Sequence, residues 1–242
     1  MINIKELVCE VETDISDFNE CNIVKPYAYL RYFSQAAEWD SEKKEINIGN
    51  IRKYNLSWVL LSTSVEVLKP MDRTMKLYAN TWNSQRRGAI LRREFIFMNE
   101  NDEVMFRGFG FSALFDLINR TIYRGKELPF MQTELNENFT MKERLKNVIT
   151  SEFFKVDERK VYNSCIDVLG HVNNCRYAEF VYDALADDER NKQIKRMDIY
   201  FKSELRNRDN FTMLKAYDGD NIILRGYNDT KSDISFDAVL SF

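Results

Sequence analysis

One histidine occurs in the 242 residues, within IDVLGHVNNCRYAEF from Ile166 to Phe180. His171 stands four positions after Asp167 and two before Asn173, which Asn174 and a stretch with helical spacing follow. Carboxylate and imidazole groups hold and move protons, and they orient groups that react. The start of a helix adds free N–H groups and the positive end of the helix dipole, a ready place for negative charge. Gly170 lets the backbone come close to a ligand. Each feature also has a plain structural reading. A lone histidine before a helix commonly packs, and Asn173 or Asn174 can cap the helix.

Other chemistry is poorly represented. Cys9, Cys21, Cys165 and Cys175 show no CxxC spacing, and one histidine offers little to zinc, so no metal or organic cofactor is expected. Cys165 and Cys175 flank the motif but lack a second histidine to activate them, and read as inert buried thiols. With 35 Lys+Arg against 38 Asp+Glu the net charge is −3, which argues against a nucleic-acid binder. No apolar run reaches the ~20 residues that span a bilayer, and MINIKELVCEVETD has no basic-then-apolar leader. A cytoplasmic protein with reduced thiols, bound to no membrane, is expected.

The motif needs elements to hold it, and the chain supplies them twice. One helix is predicted from about Tyr27 to Lys43, with Leu30, Phe33 and Ala37 on one face. A second starts near Asn174, with Tyr177, Phe180, Val181, Ala184 and Leu185 as its stripe. Long β-branched and aromatic strands follow each helix, with NEND and DGDN as turns. DFNECNIVKPYAYL from Asp17 aligns with DVLGHVNNCRYAEF from Asp167 at an offset of 150, and VLKPMDRTMKLYA from Val67 with ELRNRDNFTMLKA from Glu204 at 137. The expected architecture is two α+β units, each an antiparallel sheet curled around a helix, paired through their sheets. The polar stretch from Gly125 to about Asn147 joins them.

Asp167, Gly170, His171, Val172, Asn173, Asn174 and Tyr177 together resemble the signature of hotdog-fold thioesterases. Two such halves in one chain resemble the acyl-acyl-carrier-protein (acyl-ACP) thioesterases. YNLSWVLLSTSVEV, ILRREF and GFGFSALFDLINRTIYRGKELP extend that likeness along the chain. The resemblance implies two tandem hotdog domains forming a pseudo-dimer in one chain. The first is 1–124, non-catalytic and walling an acyl pocket; 125–149 is the linker; 150–242 is catalytic. It also implies hydrolysis of fatty acyl thioesters in fatty acid biosynthesis, with an acyl carrier protein as partner, in a monomer or homodimer.

Within that family's pattern, Asp167 and His171 match directly, and FKSE makes Glu204 the carboxylate that activates water. Glu204 in KSELRNRD also reads as a solvated strand residue. Asp167, His171 and Asn173 would orient and polarise, and Gly170, Val172, Asn174 and Trp58 would contact substrate. Phe111 is a further candidate for the pocket wall. At the aligned positions of the first half, Cys21 stands for His171 and Val67 for Glu204, so that half should be inert. Two departures stand out. Leu169 replaces a frequent Asn, whose task falls to Asn173 or backbone and whose loss favours a broader substrate class. Leu205 stands where plant members often have Cys, which argues against a thiol nucleophile. An acyl-CoA thioesterase and a non-catalytic acyl-binding protein are the alternatives. Docking an acidic carrier would draw on exposed cations among Arg86, Arg87, Arg92, Arg93, Arg120, Arg124 and Lys126.

Overall fold

The computed structural model describes residues 9–125, 128–130, 134–144 and 152–242. The aromatic and β-branched stretches become strands, and both apolar stripes become helices. The first half holds β1 (Cys9–Glu12), α1 (Pro26–Lys43), α2 (Ile48–Arg52), β2 (Leu56–Val67), β3 (Lys76–Arg87), β4 (Ile90–Met98), β5 (Val104–Asp116) and the two-residue β6 (Thr121–Ile122). The second holds β7 (Phe154–Lys160), α3 (Asn174–Asp183), α4 (Asp187–Arg190), β8 (Arg196–Phe201), β9 (Asn210–Asp218), β10 (Asn221–Asn228) and β11 (Asp233–Ser241). Strands β1 and β7 and helices α2 and α4 go beyond the sequence reading, being too short or too charged to show a period.

All the strands belong to one antiparallel sheet, ordered β1-β3-β4-β5-β2-β8-β11-β10-β9-β7, with β6 on β5. The first five and the last five follow the same path, with β7, β8, β9, β10 and β11 standing for β1, β2, β3, β4 and β5. The two sets meet where β2 pairs with β8, Ser64 opposite Asp198. Each thereby covers an edge of the other that would otherwise expose unpaired backbone. The result is an α+β fold with one large antiparallel sheet and few helices.

Both helices lie on the same sheet face and pack on each other. Phe33 of α1 stacks on Phe95 at 4.2 Å between ring centres. It sits so close to β5 that a Cβ on Gly108 would meet the Phe33 ring at 2.6 Å and the Ser64 carbonyl oxygen at 2.0 Å. Tyr177 and Phe180 of α3 pack edge-on or tilted against Phe201, Phe236 and Phe211. One buried apolar cluster joins the two halves.

The repeat is present in the backbone, but its register differs from the one the identities suggested. Asp167 donates its N–H to the carbonyl of His171 and Gly170 donates to that of Asp167, while Leu169 donates to the Asp167 carboxylate. In the first half Asn19 donates to Ile23, Asn22 to Asn19, and Cys21 to the Asn19 side chain. The true counterparts of Asp167, Leu169 and His171 are therefore Asn19, Cys21 and Ile23, at an offset of 148. Likewise Lys202 and Ser203 both donate to the Ser235 carbonyl, as Leu68 and Lys69 do to that of Met105. Glu204 thus corresponds to Pro70 rather than Val67.

Residues 134–144 cross the sheet face away from the helices. Trp82 donates its indole N–H to Asn138, and Thr140 donates both its N–H and its hydroxyl to Glu94. Glu94 is fully buried and also takes Arg92 at 2.5 Å and the Ser84 hydroxyl at 2.6 Å. The Arg92 guanidinium lies 3.9 Å over the Phe109 ring and within 5.6 Å of Phe111, so Phe111 belongs to this outer face and does not wall a pocket under α1. Arg93, pointing the other way as strand alternation requires, bonds Asp40 of α1 at 2.6 Å. Neither arginine is an exposed docking cation. Removing one member of a buried pair strands the other, at ~3–5 kcal/mol. Glu94→Ala should therefore lower the thermal midpoint by many degrees, and a melt matching wild type would show that this network does not hold the strap.

Candidate active site

The loop before α3 is built by its own backbone. Ile166 and Val172 form an isolated bridge, and between them Asp167 and His171 close at 3.1 Å and Gly170 and Asp167 at 3.0 Å. Gly170 has φ +84 with no atom within 4 Å of where a Cβ would sit. It makes the left-handed turn that closes the loop. Val172 is buried and donates to the Leu205 carbonyl at 3.0 Å, which seats the loop on the segment after β8. Asn173 caps α3, its side-chain oxygen accepting from Cys175 at 2.9 Å.

This closure gathers the polar groups. The Asp167 carboxylate accepts from the Leu169 N–H at 2.8 Å and from the Asn173 side-chain amide at 3.4 Å. Leu169, which cannot donate from its side chain, thus donates from its backbone. His171 Nδ1 lies 4.0 Å from Asp167 Oδ1, with both side chains partly exposed. At the helix start the N–H groups of Asn173, Cys175 and Arg176 are engaged. That of Asn174 carries no hydrogen bond among the described contacts, and it stands at the positive end of α3.

Two spaces meet at Asp167 and Asn173. The larger, about 1090 Å³, lies below α1 and α2 and above β2 to β5, walled by Leu30, Phe33, Ile51, Leu56, Trp58 and Leu91 among others. Its lip is formed from the second half by Val168, Leu169, Asn173 and Asn174. The smaller, about 350 Å³, is a polar groove lined by Tyr27, Arg31, Gln35, Ser164, Cys165 and Arg176. Asp167, Asn173, Asn174 and Trp58 thus come to one cavity, with His171 beside Asp167. Glu204 stands apart: its exposed carboxylate pairs with Arg206, and it lines neither space. Asn83 and Thr63, not picked from the sequence, also line the large cavity, as does Arg93, picked there only as a docking cation. Alternation in ILRREF already put Arg93 on the face of Leu91 and Phe95.

The first half carries other groups at the matching positions. Asn19, Ile23 and Pro70 replace Asp167, His171 and Glu204. The nearby Asp17 is 1% exposed and locked by Arg31 at 2.7 Å and the Tyr32 hydroxyl at 2.6 Å. Burial first, then that carboxylate, push the Tyr32 phenol upward. Burial likewise pushes the Cys175 thiol up to about 12. Among the described residues no group of three or more His, Cys, Asp or Glu is placed to hold a metal ion, and no helix is long and apolar enough to cross a membrane.

No curated protein matches the chain. The fold is similar to that of an acyl-ACP thioesterase from Bacteroides thetaiotaomicron, with a TM-score of 0.84 at 16% identity over 97% of this chain and 96% of that one. It is similar also to the 12:0-ACP thioesterase from Umbellularia californica, with a TM-score of 0.78 at 15% identity over 96% of this chain and 95% of that one. The family resemblance read from the motif is borne out, for residues 150–237, which hold every motif residue from Asp167 to Glu204, match the acyl-ACP thioesterase C-terminal domain, and that match supports a thioester hydrolase.

Proposed function

We propose that the protein hydrolyses fatty acyl thioesters, acyl-ACP first among them, to free acid and carrier thiol. In this reading residues 1–124 and 150–242 are two hotdog domains joined by 125–149, a pseudo-dimer with one working site, inside the cell. One observation carries it: an apolar-walled cavity of about 1090 Å³, built by the first half, ends at the Asp167–Asn174 loop of the second. That volume exceeds the ~300–1,000 Å³ of ordinary small-molecule sites and suits a long acyl chain.

The chemistry follows from what borders the junction. The acyl chain enters the cavity and the thioester carbonyl rests at the start of α3. Water adds to the carbonyl carbon while Asp167 takes its proton, and the oxyanion that forms is held by the Asn174 N–H and the dipole of α3. When the intermediate collapses, the C–S bond breaks and the thiolate leaves with a proton passed by His171. Geometry favours Asp167 over Glu204 for activating water, because Asp167 borders the cavity and Glu204 is tied to Arg206 outside it. Leu169 at the lip supports a second reading, in which acyl-CoA serves as well as acyl-ACP. Exposed Arg87, Arg120 and Arg124 are the cations left for carrier docking; Lys126 lies outside the described residues.

Base catalysis contributes ~10²–10⁴ in rate. Asp167→Asn and His171→Ala should each lower kcat by about that factor with melting unchanged, and Glu204→Gln by less than about tenfold. The opposite order, measured by thiol release from acyl-ACP and acyl-CoA, would return the base to Glu204. No release from either carrier would leave a binding protein.

A thiol nucleophile is not required. At pH 8 a thiol titrating near 12 is ionised only to about 10⁻⁴. Iodoacetamide at that pH should alkylate exposed Cys21 and spare Cys175, with turnover retained. Peptide mass mapping that found Cys175 modified together with lost activity would point to covalent chemistry.

A further inference from the structure

The cavity carries polar side chains that a plain hydrocarbon chain would not need. In the sheet register Asn83 lies opposite Arg93, Arg93 opposite Gly110, and Gly110 opposite Thr63. These four form one cross-strand row, and all four line the cavity. On one side the next row is Phe95, Gly108 and Val65, closed by Phe33. On the other it is Arg86, Leu91, Ser112 and Leu60. The polar band therefore ends at the stacked Phe33 and Phe95 on one side and continues to Arg86 and Ser112 on the other.

Its geometry suits a neutral oxygen. Gly110 in the middle of the row carries no side chain, and a Cβ there would press on the Leu60 side chain at 3.3 Å. Thr63 and Asn83 are 3% and 2% exposed. Arg93 is paired with Asp40 at 2.6 Å, and Lys44 takes the other oxygen of that carboxylate at 2.7 Å. One of its N–H groups goes to Asp40 among the described hydrogen bonds, whereas a guanidinium offers five. A carboxylate in the substrate would compete with Asp40; a hydroxyl or carbonyl oxygen would not.

The band is also well inside the cavity. Ser34 borders both the cavity and the polar groove, and Asp40 lies six residues further along α1. At ~1.5 Å per residue this is roughly 9 Å. An oxygen on the β-carbon would fall short of it.

We propose that the preferred substrates are fatty acyl thioesters bearing a hydroxyl or oxo oxygen in mid-chain, received by Arg93, Asn83 and Thr63. This rests on the cavity being the acyl site. The test uses the full-length protein and hexadecanoyl thioesters that are plain or hydroxylated at mid-chain, at the β-carbon, or oxidised to a terminal carboxylate. The mid-chain hydroxyl should raise kcat/KM about tenfold over the plain chain, as one well-placed hydrogen bond does. Thr63→Val should bring that ratio towards one, as should the double variant Asp40→Asn with Arg93→Met, which removes both members of the buried pair and leaves Lys44, 38% exposed, to solvent. Calorimetric binding of the matching free acids should show the same order. If no thioester is cleaved but the mid-chain hydroxy acid still binds about tenfold tighter, the hydrolase reading fails and the band keeps its role. Equal handling of plain and hydroxylated chains overturns the proposal. So does a preference for the β-hydroxyl or terminal carboxylate, or one that survives Thr63→Val. Thr63→Val alone decides if the double variant does not fold.

Discussion

Strand β2 pairs with β5 along one edge and with β8 along the other, and the second pairing sets how the halves meet. At its centre the Ser64 hydroxyl donates to Asp198 at 2.6 Å, and Asp198 is fully buried. Arg144 and Arg196 close on the same carboxylate from the outer face. A one-residue slip would turn every side chain of β8 to the opposite face, so register here is strongly held. With the seam in place, α1 and α3 lie side by side, and the loop before α3 reaches the mouth of a cavity that its own half does not contain. The site exists only because of that adjacency.

The two halves follow one strand path, and the large cavity described above lies under the helix of the first. Helix α1 has 18 residues and is followed by α2, so the pair extends past the aromatic floor of Phe33, Phe95 and Phe97. Beyond that floor the sheet presents Gly110 and Ser112, too small to fill the gap. Helix α3 has 10 residues, and Tyr177, Phe180, Phe211 and Phe236 occupy the volume below it. Helix α4 then packs down through Glu189, buried on Lys215 at 2.6 Å. One half stores space while the other stores the polar loop.

That division explains why the polar groups of the loop stay accessible. Asp167 is held by a backbone N–H and an amide, and it borders both spaces. Asp17, close to the matching loop, is taken up by an arginine, a tyrosine and backbone. A carboxylate fully satisfied by its neighbours has little capacity left for a substrate or a water.

The helix stripes, the long strands, the turn at Asn99–Asp102 and the motif from Asp167 to Tyr177 were all legible, because side-chain period and local turn chemistry are properties of short stretches. The existence of a repeat was legible too. Its register was not: YAYL offers both Tyr27 and Tyr29 as partners for Tyr177, and the few identities around Asp17 favoured a register shifted by two. Main-chain hydrogen bonds do not tolerate it, and they decide for Tyr29. Strand alternation sent Arg92 and Arg93 to opposite faces, but not to Glu94 and Asp40, which come from packing. Glu204 was picked on its place in a pattern, whereas its distance from the cavity depends on where the chain turns after β8. The sequence by itself determined the long strands, the two main helices and which residue types sit at the start of α3. Tertiary structure alone decided which of them share a cavity, because burial and proximity arise between segments far apart in the chain.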